Sequence, residues 1–272
     1  MRFSTILAST LAVAVSAAPT FPQLNLKEVL NPDDTLSSLS EYFNLLATRV
    51  QLAKVQSKPP TCDVTQARMP QAPVPLPSPP EGHKVKHVAV GRGTQNYTCE
   101  ADNKDAKPEA AGALAHLYDA SCIAAVYPDL LERIPAMALR FNLSDEAQLG
   151  ASPLSPTGIH YFSGPKTAYF KLADGKGHDQ GEVYCAKEDA SDAPLTAAVG
   201  QKDEKAVPWL LLKTHEPTTG KIQEVYRVST AGGSPPTTCE GMPETFEVEY
   251  ASVYWFWEGD GEIAEEDDGA DD

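Results

Sequence analysis

Hydrophobic residues recur along this chain with two different periods, and the change of period divides it. Leu36, Leu39, Phe43, Leu46, Val50 and Ala53 follow one another at steps of three and four, the spacing of one helix face. Asp33 and Asp34 put negative charge at its start, Ser38 and Glu41 have capping-box spacing, and Pro59-Pro60 stops it. This predicts an amphipathic helix laid across a sheet. Past residue 83 the pattern turns to strands. Val85, Val88 and Val90 precede Gly91-Arg92-Gly93, and residues 167–172 and 182–186 flank the turn-rich Asp174-Gly175-Lys176-Gly177. Residues 207–214 and 221–230 flank a second turn, so the two pairs read as hairpins. Phe246, Val248 and Tyr250 alternate with Glu247 and Glu249, a half-buried strand; Val253-Tyr254-Trp255-Phe256-Trp257 then becomes apolar on both faces. Residues 127–141 read as helical, interrupted at Pro135. Residues 111–119 fit both periods: their alanine content favours a helix, while Leu114, His116 and Tyr118 alternating with Ala115 and Leu117 suit a strand.

Short strands separated by turn signals predict a mainly β fold, an antiparallel sandwich or barrel, with an N-terminal amphipathic helix and a small helical insertion. Between helix and strands, eight prolines fall within residues 59–80, a density that excludes helix and central strand and favours an extended linker. Cys62 near its start would let a disulfide pin it. The expected organisation is a signal peptide at 1–18, a helical segment at 19–58, a Pro-rich linker at 59–82, a β-rich domain at 83–257 and an acidic tail at 258–272.

The N-terminal residues change the setting. Arg2, an apolar run over residues 6–15 broken by Ser9 and Thr10, and then Ser16, Ala17 and Ala18 follow the order of a secretory signal peptide. The expected product is secreted and extracellular, beginning near Ala18 or Pro19, and the run is too short to span a bilayer. Five cysteines in an exported chain imply disulfides. Spacing favours Cys99 with Cys122 and Cys62 with Cys239. Asn96-Tyr97-Thr98 and Asn142-Leu143-Ser144 are glycosylation sequons, which places Asn96 and Asn142 at the surface. The formal net charge is −16, with nine acids in residues 258–272, the composition of a solvated tail. Nucleic acid and anionic membrane both demand a basic surface, so neither is an expected partner.

No G-x-S-x-G elbow, H-E-x-x-H helix or phosphate-binding G-x-x-x-x-G-K-[ST] loop occurs. The cysteines lack C-x-x-C spacing and nearby histidines, so no metal site is expected. His160, His178 and His215 stand near Asp174, Asp179 and Glu216 along the chain, the residue types from which an acid/base site is assembled. Trp255 and Trp257 fall on one face of a strand and would stack on a sugar if that face is open, whereas Trp209 lies in an apolar strand and reads as core.

Three strings, Gly91-Arg92-Gly93-Thr94-Gln95-Asn96-Tyr97-Thr98-Cys99, Val207-Pro208-Trp209-Leu210-Leu211-Leu212-Lys213 and Tyr226-Arg227-Val228-Ser229-Thr230-Ala231-Gly232-Gly233-Ser234-Pro235-Pro236, the last running on to Cys239, resemble the secreted fungal branch of the domain of unknown function 3455 family. The resemblance covers about residues 85–257. It implies a β-rich fold, favours a strand at 111–119, makes the helical stretch after Cys122 an elaboration and leaves Cys185 as the unpaired cysteine. Members of the family often carry the label malate dehydrogenase. Dinucleotide binding needs a strand, a G-x-G-x-x-G turn and a helix, and here Gly91-x-Gly93 has Asn96 at the third glycine position with a strand beyond. The label is therefore not supported, and no cofactor is expected. The reading is a noncatalytic extracellular or cell-wall binding module whose partners are wall polysaccharide or an extracellular protein. Its alternative is an extracellular enzyme with a site around Arg227, His160 or His178. Candidate ligand-binding residues are thus Trp255, Trp257, Arg227, His160 and His178.

Overall fold

A computed structural model describes residues 62–100, 103–141, 149, 154–174, 177–261 and 263. The signal peptide, the amphipathic helix, Asn142 and ten of the fifteen residues of the acidic tail lie outside them. Eight antiparallel strands follow one another around a closed barrel, each paired with its sequence neighbour and the last with the first. They are β1 (Lys84–Thr98), β2 (Glu109–Asp119), β3 (Pro156–Phe162), β4 (Ala168–Ala173), β5 (Asp179–Ser191), β6 (Trp209–His215), β7 (Ile222–Gly232) and β8 (Thr245–Glu258). The ambiguous segment is β2. Both expected hairpins form, as β4–β5 and β6–β7.

Closure rests on β1 and β8, whose ladder runs from Lys84 opposite Glu258 to Thr98 opposite Thr245. Period-two alternation assigns their faces. Ala89 faces Tyr254, Gly91 faces Ser252, Gly93 faces Tyr250 and Gln95 faces Val248, all on the inward side. Val88, Val90, Val253 and Trp255 point outward. Both faces are buried because the molecule has two cores. One fills the barrel and includes Leu117, Phe170, Leu172, Val183, Cys185 and Phe256. The other lies outside it, where three short helices, α1 (Ser121–Val126), α2 (Pro128–Leu131) and α3 (Ile134–Ala138), help cover the outward residues of β1, β7 and β8. This explains why 253–257 is apolar on both faces.

The Pro-rich segment completes the outer cover. Its described part, from Cys62 on, contains no α-helix or strand and only one 3-10 turn, Val64–Gln66, capped by Asp63. The Tyr226 hydroxyl donates to the Pro77 carbonyl at 2.7 Å, and the Val74 amide donates to Ser191 Oγ at 3.1 Å. The segment is therefore a strap on the barrel.

The disulfides are Cys62–Cys122 and Cys99–Cys239, and Cys185 is free and buried. This corrects the pairing expected from spacing. Cys99 follows the end of β1 at which Thr98 pairs with Glu109, whereas Cys122 lies beyond the end at which Ala89 pairs with Asp119. Nine strand residues separate these ends, roughly 30 Å, against the ~7 Å that a disulfide spans. Asn96 sits mid-strand in β1, half-buried and paired on both sides, its side-chain oxygen accepting from Thr94 Oγ1 at 3.1 Å.

Candidate functional site

Two ends of the barrel interior differ. One is plugged: His87 reaches Thr157 Oγ1 and Ser121 Oγ, each at 3.1 Å, and stacks at an angle on Phe256. At the other end the inward positions include Gln95, Phe162 and Leu210, all partly exposed, and Lys187, exposed. This end is the mouth. Beside it, Gly93, Ala113 and Ala115 occupy adjoining inward positions with almost no side chain.

Arg227 enters the interior from β7, opposite Tyr254 of β8 and Leu210 of β6. It is 8% exposed. One Nη donates to the Pro208 carbonyl at 3.0 Å, and the other reaches Gln95 Oε1 at 3.5 Å, the outer limit of a hydrogen bond. Its Nε, the Gln95 amide nitrogen and the Ser252 hydroxyl are buried and unpartnered among the described residues. The Tyr250 and Tyr254 hydroxyls bond each other at 2.8 Å. Burial drives the Tyr250 pKa well above its ordinary value, the neighbouring Tyr254 adds to the rise, and Arg227 and the Gln95 amide, which lies toward the Tyr250 hydroxyl, oppose it. A backbone irregularity between Val228 and Ala231, with Ser229 at φ 48°, follows Arg227 directly, the kind of bulge that re-aims a strand's side chains.

Other buried charges show what is unusual here. Glu224, 1% exposed, is held by His83 Nδ1 at 2.7 Å and Lys213 Nζ at 2.5 Å. Arg92, on the outer side, pairs with Glu249 and donates to the carbonyls of Ala138 and Phe141 after the helices. Arg227 has no carboxylate partner among the described residues. An uncompensated buried charge is strongly unfavourable, so a cation in this position calls for an anion.

His160, from β3, stacks on Phe170 at 4.1 Å and lies 5.6 Å from the Tyr254 ring. Its Nδ1 lies 2.9 Å from the Tyr169 carbonyl, which accepts only, so Nδ1 carries the proton. Burial lowers its pKa to about 4, the bond to Tyr169 opposes the shift, and the Arg227 charge adds to it. His160 is thus a neutral, buried part of the barrel's packed interior. At the plugged end, Asp119, His87 and Ser121 lie close together like a nucleophile with its base. Their wiring differs: Ser121 Oγ accepts from the Val88 amide and also faces the Val88 carbonyl, which makes it a structural link between α1 and β1.

The remaining candidates are elsewhere. His178 is exposed in the β4–β5 turn, paired with Asp174 Oδ2 at 2.7 Å, far along the ladder from the mouth. Trp255 is fully buried beneath the strap and helices. Trp257 is half-buried and lines an outer groove of about 420 Å³ with Met69, Leu76, Pro77 and Val228, its indole N–H unpartnered. Among the described residues, no three His, Cys, Asp or Glu side chains gather as metal ligands. The structure therefore brings Arg227 and His160 together and separates both from Trp255, Trp257 and His178. Sequence reasoning missed Gln95, Tyr250 and Ser252. Their alternation along β1 and β8 was a readable signal, but nothing local says that this face lines the barrel interior.

The family described as protein of unknown function (DUF3455) matches residues 79–258, so the chain belongs to that family. No curated protein and no solved structure matches it.

Proposed function

We propose that this member of the DUF3455 family is a secreted, noncatalytic binding module whose ligand seat is the barrel mouth at Arg227. The observation that carries the reading is a buried guanidinium, facing inward, without a carboxylate among the described residues. The interiors of eight-stranded barrels are filled by side chains or hold one small ligand, and the partly exposed Gln95, Phe162 and Leu210 mark the end of this one that is open to solvent. The enzyme alternative gains no support from His160, whose proton is committed to a backbone carbonyl, or from the Ser121 arrangement. Nor does the dehydrogenase label, because a closed antiparallel barrel has no parallel strand–helix–strand unit.

A second reading places an extended wall polysaccharide in the groove beneath the strap, favoured by the unpartnered indole N–H of the half-buried Trp257. One experiment separates the two. The full chain is expressed in a secreting eukaryotic host, recovered from the medium, sequenced at its N-terminus and weighed under non-denaturing conditions. The expected result is a chain beginning near Ala18 or Pro19 with a small-molecule adduct that Arg227→Met removes and Trp257→Ala retains. Retention on insoluble wall polysaccharide that is lost in Trp257→Ala and kept in Arg227→Met would overturn the interior seat in favour of the groove.

A further inference from the structure

We infer that the groove beneath the strap selects a soluble anionic sugar chain, its carboxylates toward Arg68 and Lys84 and one ring over Trp257. The inference rests on the groove of the second reading above, to which it adds the ligand's chemical class. It concerns a surface separate from the seat at Arg227, and a chain bound there leaves that seat untouched.

The groove lies on the outside of the barrel, between the strap and β1, β7 and β8, and its volume is about 420 Å³. Its lining reaches solvent: Arg68, Gln71, Ser78 and Lys84 are exposed, and Leu76 and Trp257 are partly so. Trp257 meets Tyr226 edge to face at 6.5 Å. Its indole nitrogen is buried, so what it offers a ligand is ring surface rather than a donor.

The chain carries a formal net charge of −16, yet among the described residues no Asp or Glu lines this groove, while Arg68, His83 and Lys84 do. His83 is committed to Glu224 at 2.7 Å. Arg68 donates to the carbonyls of Thr65 and Ala67 and to no carboxylate among the described residues. Glu258, opposite Lys84 in the ladder, reaches Lys86 instead, at 3.8 Å. Asp63, on the strap, is turned to the amide and hydroxyl of Thr65. Two solvent-facing cations thus flank an apolar floor on an acidic protein, a local reversal of sign that draws an anion to this place.

Carboxylates bond to guanidinium and ammonium groups with charge assistance. Gln71 and Ser78 supply neutral hydrogen-bonding groups, and Trp257, Leu76 and Pro77 supply apolar surface. A uronic-acid unit matches all three, with an apolar ring face, a hydroxyl edge and one carboxylate. A neutral sugar leaves both cations unused, and a flexible acidic peptide without rings leaves the indole unused.

Titration of the purified full chain with soluble oligogalacturonate, a cello-oligosaccharide of equal length and polyglutamate tests the inference. Trp209 and Trp255 are buried, so emission from the partly exposed Trp257 reports on the groove, and calorimetry checks it. Oligogalacturonate is expected to change this emission and to bind at least about tenfold more tightly than the other two, its advantage over the neutral chain shrinking as salt is raised. Arg68→Glu combined with Lys84→Glu, both at exposed positions, should weaken oligogalacturonate at least about tenfold and leave the thermal midpoint unchanged. Arg227→Met should leave its binding unchanged. Equal binding of the two sugars, unaffected by the double charge reversal, would overturn the acidic class and keep the groove. Polyglutamate binding as tightly as oligogalacturonate would overturn the sugar in favour of an acidic peptide. Failure of all three by emission and by calorimetry would overturn the groove reading as well.

Discussion

Burial acts on His160 from every side. The ring is 3% exposed, stacked on Phe170, and its pKa falls to about 4 from an ordinary 6.5. In the unfolded chain the imidazole takes up a proton as pH drops through 6.5, while the folded barrel refuses it until about 4. The unfolded state therefore binds more protons across that window, and stability is full above pH 6.5 and declines as pH falls toward 4. The gap corresponds to about 3 kcal/mol. His87, whose pKa burial also lowers, adds in the same direction. Denaturant unfolding at pH 7 and at pH 4.5 should show this loss, and His160→Phe should shrink the difference between the two pH values even though it lowers the value at pH 7. An unchanged pH dependence in the variant would mean that His160 is hydrated and titrates normally in the folded state.

Among the strands, β1 carries no side chain at Gly91, beside the Tyr254 ring of β8. A Cβ at Gly91 would lie 2.5 Å from the Tyr254 ring, so this buried core aromatic occupies the volume that any other residue at that position would claim. Gly91→Ala is expected to cost roughly 1–3 kcal/mol by overpacking, measured by chemical denaturation, and to perturb ligand binding because Tyr254 must move. The strands themselves were legible, since period-two alternation is local: both hairpins and the long final strand stand where the pattern put them. Sandwich and barrel were not distinguishable, because closure is a pairing of β1 with β8 across most of the chain. The same distance explains the cysteine error. Short sequence separation favoured Cys99 with Cys122, but an antiparallel ladder carries them to opposite ends. It also hid the site, for Arg227 and His160 were named singly while Gln95 and the tyrosines reach them only through the register of β1, β7 and β8.

At the scale of the molecule, the two disulfides serve different regions. Cys99–Cys239 ties the mouth end of β1 to the loop before β8, and Cys62–Cys122 ties the start of the strap to α1 at the opposite end. The strap covers Trp255, lines the Trp257 groove and touches the barrel through Tyr226 and Ser191 from outside. It donates nothing to the interior that holds Arg227. Replacing Cys62 and Cys122 together by serine opens a closed loop whose ends lie 60 residues apart, which corresponds to a loss of about 2–4 kcal/mol. Emission from Trp257 should shift toward that of a solvated indole, because the strap is then held only by its hydrogen bonds and by the packing of Ala67, Met69 and Leu76 on the outer core. Occupancy of the barrel mouth by the small-molecule adduct should stay within about twofold of the parent, the spread expected for independent sites. A large loss of occupancy in this double variant would place the strap in control of the mouth, and the separation drawn between the inner seat and the outer groove would have to be abandoned.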